Sequence, residues 1–202
     1  MPIWGQFNQL EIELRTDQDD VVEVDGLTGL NLKLLGGNDY IATSLMSQDE
    51  LSNIFVDLGS GDDQAFIDLG KANIQNANFE FEDSMQGDSN LLELTDLTAR
   101  SSAKITMSEG EDRIILNRSV ASGADLDSTK LNIEGFNINH NDQFILRRSF
   151  GSATIKRIHN EEGLLSSALI RDSAYGKITI NFDTPFLESS SESLEDYILL
   201  NQ

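Results

Sequence analysis

Apolar residues in this chain fall at alternate positions in short runs, and polar turns bearing Asp or Asn separate the runs. A period of two is the signature of a β-strand with one buried face. Val21 to Val24, Tyr40 to Thr43, Phe66 to Leu69, Leu91 to Leu94, Arg113 to Leu116 and Phe144 to Leu146 therefore read as strands. Each follows a turn whose last acidic or amide residue is Asp20, Asp39, Asp63, Asn90, Asp112 or Asp142, at spacings of 19, 24, 27, 22 and 30. Two residues beyond these markers stand Val22, Ile41, Ala65, Leu92, Ile114 and Phe144; four beyond stand Val24, Thr43, Ile67, Leu94, Leu116 and Leu146. A second set of alternating segments precedes the turns: Leu30 to Leu34, Ile54 to Leu58, Phe79 to Phe81, Ile105 to Met107 and Leu131 to Ile133.

Each unit is thus a strand, an Asp-rich turn, a strand and a return loop, and six turns imply six coils. A strand with one apolar face cannot bury it alone, so successive coils stack with like positions in register. The fold class expected is all-β: a parallel β-roll, or short right-handed β-helix, with a C-terminal β cap. An antiparallel sandwich with Asn/Asp-rich hairpins is the alternative. The organisation reads as an N-terminal cap over 1–16, a repeat region over 17–149, and a C-terminal cap with a candidate secretion tail over 150–202. In that last part Ala153 to Ile158, Ser167 to Ile170 and Lys177 to Phe182 read as strands, Glu188 to Glu195 as a solvated loop, and Tyr197 to Leu200 as an apolar ending that packs back.

Composition narrows the function. Acidic side chains number 35 against 14 basic, a formal charge of −21, which repels nucleic-acid phosphates and anionic membrane surfaces. No apolar run approaches the roughly 20 residues that span a bilayer. The absence of cysteine excludes disulfides and thiolate chemistry, and His140 and His159 lie outside any HExxH motif and read as surface residues. Arg147-Arg148 and Lys156-Arg157 form the one basic cluster, read as the polar face of the cap.

The turns resemble the hemolysin-type, or RTX, calcium-binding repeat, G-G-x-G-x-D-x-U-x with U a large aliphatic residue. Gly59-Ser60-Gly61-Asp62-Asp63-Gln64-Ala65 keeps two glycines and the Asp, while Gly37-Asn38-Asp39-Tyr40-Ile41 and Gly110-Glu111-Asp112-Arg113-Ile114 match G-x-D-x-U. The other turns depart from it: Asn90 replaces Asp, Gln18 and His140 stand in place of Gly, and Gly87 is displaced by one residue. Ile133-Glu134-Gly135-Phe136 with Asp142 to Leu146 is similar to the segment that closes such modules, and Leu194 to Leu199 to their acidic-apolar ending.

The resemblance implies Ca²⁺ between neighbouring turns, the Asp carboxylates joining converging backbone carbonyls to reach the six to eight oxygens the ion takes. The candidate metal residues are Gly37, Asp39, Gly59, Gly61, Asp63, Gly110 and Asp112, with Asp39 and Asp63 the best pair and a poorer site between Gly110-Asp112 and Gly87-Asp88. The competing reading makes the carboxylates turn formers that accept backbone N–H bonds and hold no metal.

The resemblance further implies a secreted, non-enzymatic structural, adhesive or secretion module. Its partners would be calcium and either cell-surface polysaccharide or a secretion apparatus, without nucleic acid or membrane insertion. Type I-like secretion would place it outside the cell or at its surface; a cytoplasmic place and an oligomeric state stay open. The alternatives are a polysaccharide-modifying β-helix enzyme and a β-helical phage or surface-fibre component. Convergent carboxylates in a groove on one sheet face would favour the enzyme.

Overall fold

The computed structural model describes residues 3–6, 10–13, 18–27, 29–45, 50–52, 54–69, 73–81, 88–96, 101–117, 129–147, 154–172, 176–186 and 197–201. Among the sequence features named above, Gly87, Arg148, Ala153 and the stretch from Glu188 to Asp196 lie outside them.

The marker positions dictate the first sheet. Its strands are β1 (Ile3–Gln6), β3 (Val21–Leu27), β5 (Tyr40–Leu45), β8 (Gln64–Asp68), β11 (Ser89–Thr95), β13 (Glu111–Asn117), β15 (Gln143–Arg147) and β19 (Ile198–Asn201), all parallel and adjacent in that order. Val22, Ile41, Ala65, Leu92, Ile114 and Phe144 pair in one continuous row, as do Val24, Thr43, Ile67, Leu94, Leu116 and Leu146. Both rows are buried. Two and four residues past every turn, the chain faces the core.

The return half of each coil builds the second sheet. Here β2 (Leu10–Glu13), β4 (Leu30–Lys33), β7 (Ile54–Asp57), β10 (Ala77–Glu80), β12 (Ser102–Thr106), β14 (Thr129–Glu134) and β18 (Gly176–Phe186) lie parallel. Leu32, Val56, Phe79, Ile105, Ile133 and Phe182 form its central inward row. The two sheets enclose one narrow core of Leu, Ile, Val and Phe. The molecule is a β-solenoid, and its described residues are nearly all β, with a 3₁₀ turn at Ile138–His140.

Strands β1 and β2 lie along the edges of the two sheets. At the other end the antiparallel pair β16 (Thr154–His159) and β17 (Leu165–Asp172) extends the second sheet through β18. Strand β18 rejoins the parallel register because Ile178, Ile180 and Phe182 continue the inward alternation of β14. Tyr197 and Ile198 are buried, and β19 pairs with β15, so the apolar ending closes against the stack. A short parallel pair, β6 (Glu50–Ser52) with β9 (Asn73–Gln75), occupies the return loops of two neighbouring coils. It has no counterpart in the sequence reading, because three-residue strands carry too little alternation to register.

Candidate functional site: a ladder of turn carboxylates

Because Val21, Tyr40, Gln64, Leu91, Arg113 and Gln143 pair in one continuous row, the marker residues immediately before them stack in one column. Oδ1 of Asp39 accepts from the Asp20 backbone N–H at 2.8 Å, and Oδ1 of Asp63 accepts from the Asp39 N–H at 2.8 Å. Oδ1 of Asn90 accepts from the Asp63 N–H at 3.0 Å, and Oδ1 of Asp142 accepts from the Asp112 N–H at 3.0 Å. The backbone carbonyls of Asp20, Asp39 and Asp63 accept in turn from Tyr40, Gln64 and Leu91, so each marker ties two coils together twice. A charge-assisted hydrogen bond of this kind contributes about 1.5–3 kcal/mol.

A second, solvent-facing ladder runs beside it with the opposite sense. Oδ1 of Asp19 accepts from the Asn38 N–H at 2.8 Å, Oδ1 of Asn38 from Asp62 at 3.1 Å, and Oδ1 of Asp62 from Ser89 at 2.8 Å. The inner side chains receive from the coil before them and the outer ones from the coil after. This outer ladder escaped the sequence reading; its signal is the Asp, Asn or Ser immediately before the first four markers, at Asp19, Asn38, Asp62 and Ser89.

The glycines serve close approach between coils. A Cβ on Gly61, whose φ is +134°, would lie 2.0 Å from the Gly37 carbonyl oxygen, and one on Gly110 would lie 1.7 Å from that of Asp88. Gly37 N–H donates to Ser60 O at 3.0 Å, and Gly59 N–H to Oδ1 of Asp57 at 3.2 Å. The predicted residues thus divide into two groups. Gly37, Asp39, Gly59, Gly61 and Asp63 meet in consecutive turns, while Gly110 and Asp112 lie two coils further on, against Asp88.

The second carboxylate oxygens separate these groups. Oδ2 of Asp39 and Oδ2 of Asp63 are buried with no hydrogen-bond partner. Oδ2 of Asp112 instead accepts from the Ser108 N–H at 2.6 Å and its Oδ1 from Asn90 Nδ2 at 2.9 Å; Oδ2 of Asp142 accepts from the Asn137 N–H at 2.7 Å. Burial pushes Asp39 up to about 6 and Asp63 and Asp142 up to about 7, hydrogen bonds to the carboxylates opposing the shift; burial also raises Asp112. A buried carboxylate oxygen without a donor is costly, and a proton or a cation relieves that cost.

Tested against the needs of Ca²⁺, Asp39 and Asp63 each retain one open carboxylate oxygen, whereas both oxygens of Asp112 are engaged. Among the described residues no three acidic or histidine side chains converge on one point, so an ion between these turns would draw its remaining oxygens from backbone carbonyls and water.

The outer face of the first sheet carries a separate groove of about 480 Å³. Ala42 and Ser44 of β5 are short and form its floor; Glu23 and Asp25 of β3 and Phe66 and Asp68 of β8 form its walls, with Glu93 beyond. Ser44 Oγ donates to Oδ1 of Asp25 at 2.9 Å. Glu93 is held from the far side by Arg147 at 2.7 Å and Asn117 at 2.8 Å. His140 lies beside Asn137 in the 3₁₀ turn. Among the described residues no helix is long and apolar enough to cross a membrane.

Comparison with family models, with curated proteins and with solved structures finds no match for this chain.

Proposed function

We propose that this chain is a non-enzymatic, RTX-like β-solenoid module that takes calcium at the turns carrying Asp39 and Asp63. On this reading it works outside the cell or at its surface as a structural, adhesive or secretion element. The observation that carries the proposal is the pair of buried, partnerless Oδ2 atoms in consecutive turns. Each of these two carboxylates clamps the preceding coil through one oxygen and keeps the other for a ligand. The glycine-lined turns around them, at Gly37, Gly59 and Gly61, let backbone carbonyls come close. Secretion by a type I-like route rests on the resemblance of the closing segments alone.

The test is thermal unfolding with millimolar calcium against magnesium at equal ionic strength. Calcium that binds only the folded chain adds about 2.7 kcal/mol at a hundred times its Kd. An equal rise with magnesium would reduce the effect to screening among surplus carboxylates and remove the site.

The groove favours a second reading, a polysaccharide-modifying enzyme. Asp25 and Asp68 face each other across the single strand β5, which puts their strands about 9.6 Å apart. Product release from acidic and neutral polysaccharides, lost in Asp25→Asn and Asp68→Asn, would support that reading; release unchanged in both variants would dismiss it.

A further inference from the structure

Asn90 departs from the Asp that the repeat pattern places at its position, and its surroundings show what the amide does there. Its Oδ1 accepts from the Asp63 N–H at 3.0 Å, the bond a carboxylate would make equally well. Its Nδ2 does what no carboxylate can, donating to Oδ1 of Asp112 at 2.9 Å and to Oγ of Ser108 at 3.2 Å. Asn90 and Asp112 are 3 % and 0 % exposed, so water does not stand in for a missing donor. Upstream of Asn90 lie the open carboxylates Asp39 and Asp63, and downstream the engaged carboxylates Asp112 and Asp142.

We propose that Asn90 is an insulating rung: by adding a side-chain donor to the next coil where the other markers offer only acceptors, it divides the carboxylate ladder into a cation-responsive block and a self-satisfied block. Three carboxylates in sequence at positions 63, 90 and 112 would set acceptor against acceptor at the last step. The amide removes that conflict and supplies Asp112 with a donor from the neighbouring coil, while Ser108 supplies donors from its own turn. The downstream block is thereby complete without a cation. The division into blocks rests on the calcium reading above, whereas the donor role of Asn90 does not.

A double-mutant cycle in calcium-free buffer tests the donor role. Asn90→Asp keeps the acceptor for Asp63 and loses the donor to Asp112, so the unfolding equilibrium constant should rise by roughly ten- to a hundredfold. Asp112→Asn alone should also raise it, because one amide oxygen cannot accept from both Asn90 Nδ2 and the Ser108 N–H and the new amide group faces whichever buried donor is left. The double variant Asn90→Asp/Asp112→Asn exchanges donor and acceptor and should recover at least half of the loss on a logarithmic scale, even where the single Asn90→Asp chain does not fold. A silent Asn90→Asp, or a double variant no more stable than Asn90→Asp, would overturn the proposal.

Backbone hydrogen exchange with and without calcium tests the division. Protection should increase at residues 36–45 and 59–68 and stay unchanged at 111–117 and 143–147. Equal gains in both blocks would refute insulation. No gain in either would remove the calcium reading and the cation-responsive block with it, leaving the donor role to the double-mutant cycle.

Discussion

The backbone N–H of Asp39 donates to Oδ1 of Asp63, 2.8 Å away and 24 residues further along the chain. That bond joins two coils at the point where each leaves its turn, and it makes the side chain of one repeat part of the backbone network of another. Asp63→Ala strands the Asp39 N–H in a buried place, at a cost of about 1–3 kcal/mol. Asp63→Asn retains the acceptor and puts an amide where the partnerless Oδ2 stood, so the metal-free variant should be at least as stable as the parent at pH 8. Urea unfolding of the three proteins checks the order.

Stability should fall as pH rises from about 4 to about 8. The folded chain raises Asp39 to about 6 and Asp63 and Asp142 to about 7 by burial, against 3.8 as the ordinary value. Between those limits the folded state holds protons that the unfolded state has released. The stabilisation is therefore complete below the ordinary value and lost as pH passes through the folded one, by roughly 1.4 kcal/mol per pH unit for each proton concerned. Melting temperatures across this range should decline, and Asp63→Asn should shallow the decline by about one proton. A profile that rises toward pH 8 in metal-free buffer would contradict the buried placement of these carboxylates.

Gly61→Ala should destabilise the fold by roughly 2–4 kcal/mol, since the added methyl meets the Gly37 carbonyl and the backbone there holds a φ that L side chains rarely adopt. Gly163→Ala is a useful contrast. Its φ is +81° but an added Cβ meets nothing within 4 Å, so only the conformational part of the cost remains, about 1 kcal/mol. Chemical denaturation of both variants separates crowding between coils from backbone strain.

In the central row of the second sheet, Ile105 is fully buried between Phe79 and Ile133. Ile105→Ala should cost about 2–5 kcal/mol. An equivalent truncation at Ile158, which is 40 % exposed on the edge strand β16, should cost well under 1 kcal/mol.

The register of the first sheet is legible in the sequence because every turn ends on a residue whose side chain caps the neighbouring coil, so Asp20, Asp39, Asp63, Asn90, Asp112 and Asp142 mark homologous positions despite unequal loops. Counting two and four residues onward from each marker lands on the buried rows. What each marker does chemically is less legible. Asp63 and Asp112 sit in similar G-x-D-x-U motifs, yet one keeps an open oxygen and the other has both engaged, because Ser108 lies four residues before Asp112 and no such donor reaches Asp63. Asn90 reads as an eroded repeat until its donor to a residue 22 positions away is seen. Lys177 to Phe182 and the apolar ending at Tyr197 to Leu200 are legible as a strand and a segment that packs back, but their places in the two sheets are hidden, since no Asp-rich turn announces either strand and only pairing with β14 and β15 fixes them.

Calorimetric titration of calcium into the native chain and into Asp63→Asn bears most directly on whether the open oxygens of the ladder bind a cation. The native chain should give a saturable isotherm that weakens below about pH 6 as protons compete for Asp39 and Asp63, and the variant, with one charged oxygen removed, should bind at least tenfold more weakly while unfolding at the same or a higher temperature. Identical isotherms for the two proteins, or no heat of binding in either, would mean that these carboxylates serve only to clasp one coil to the next.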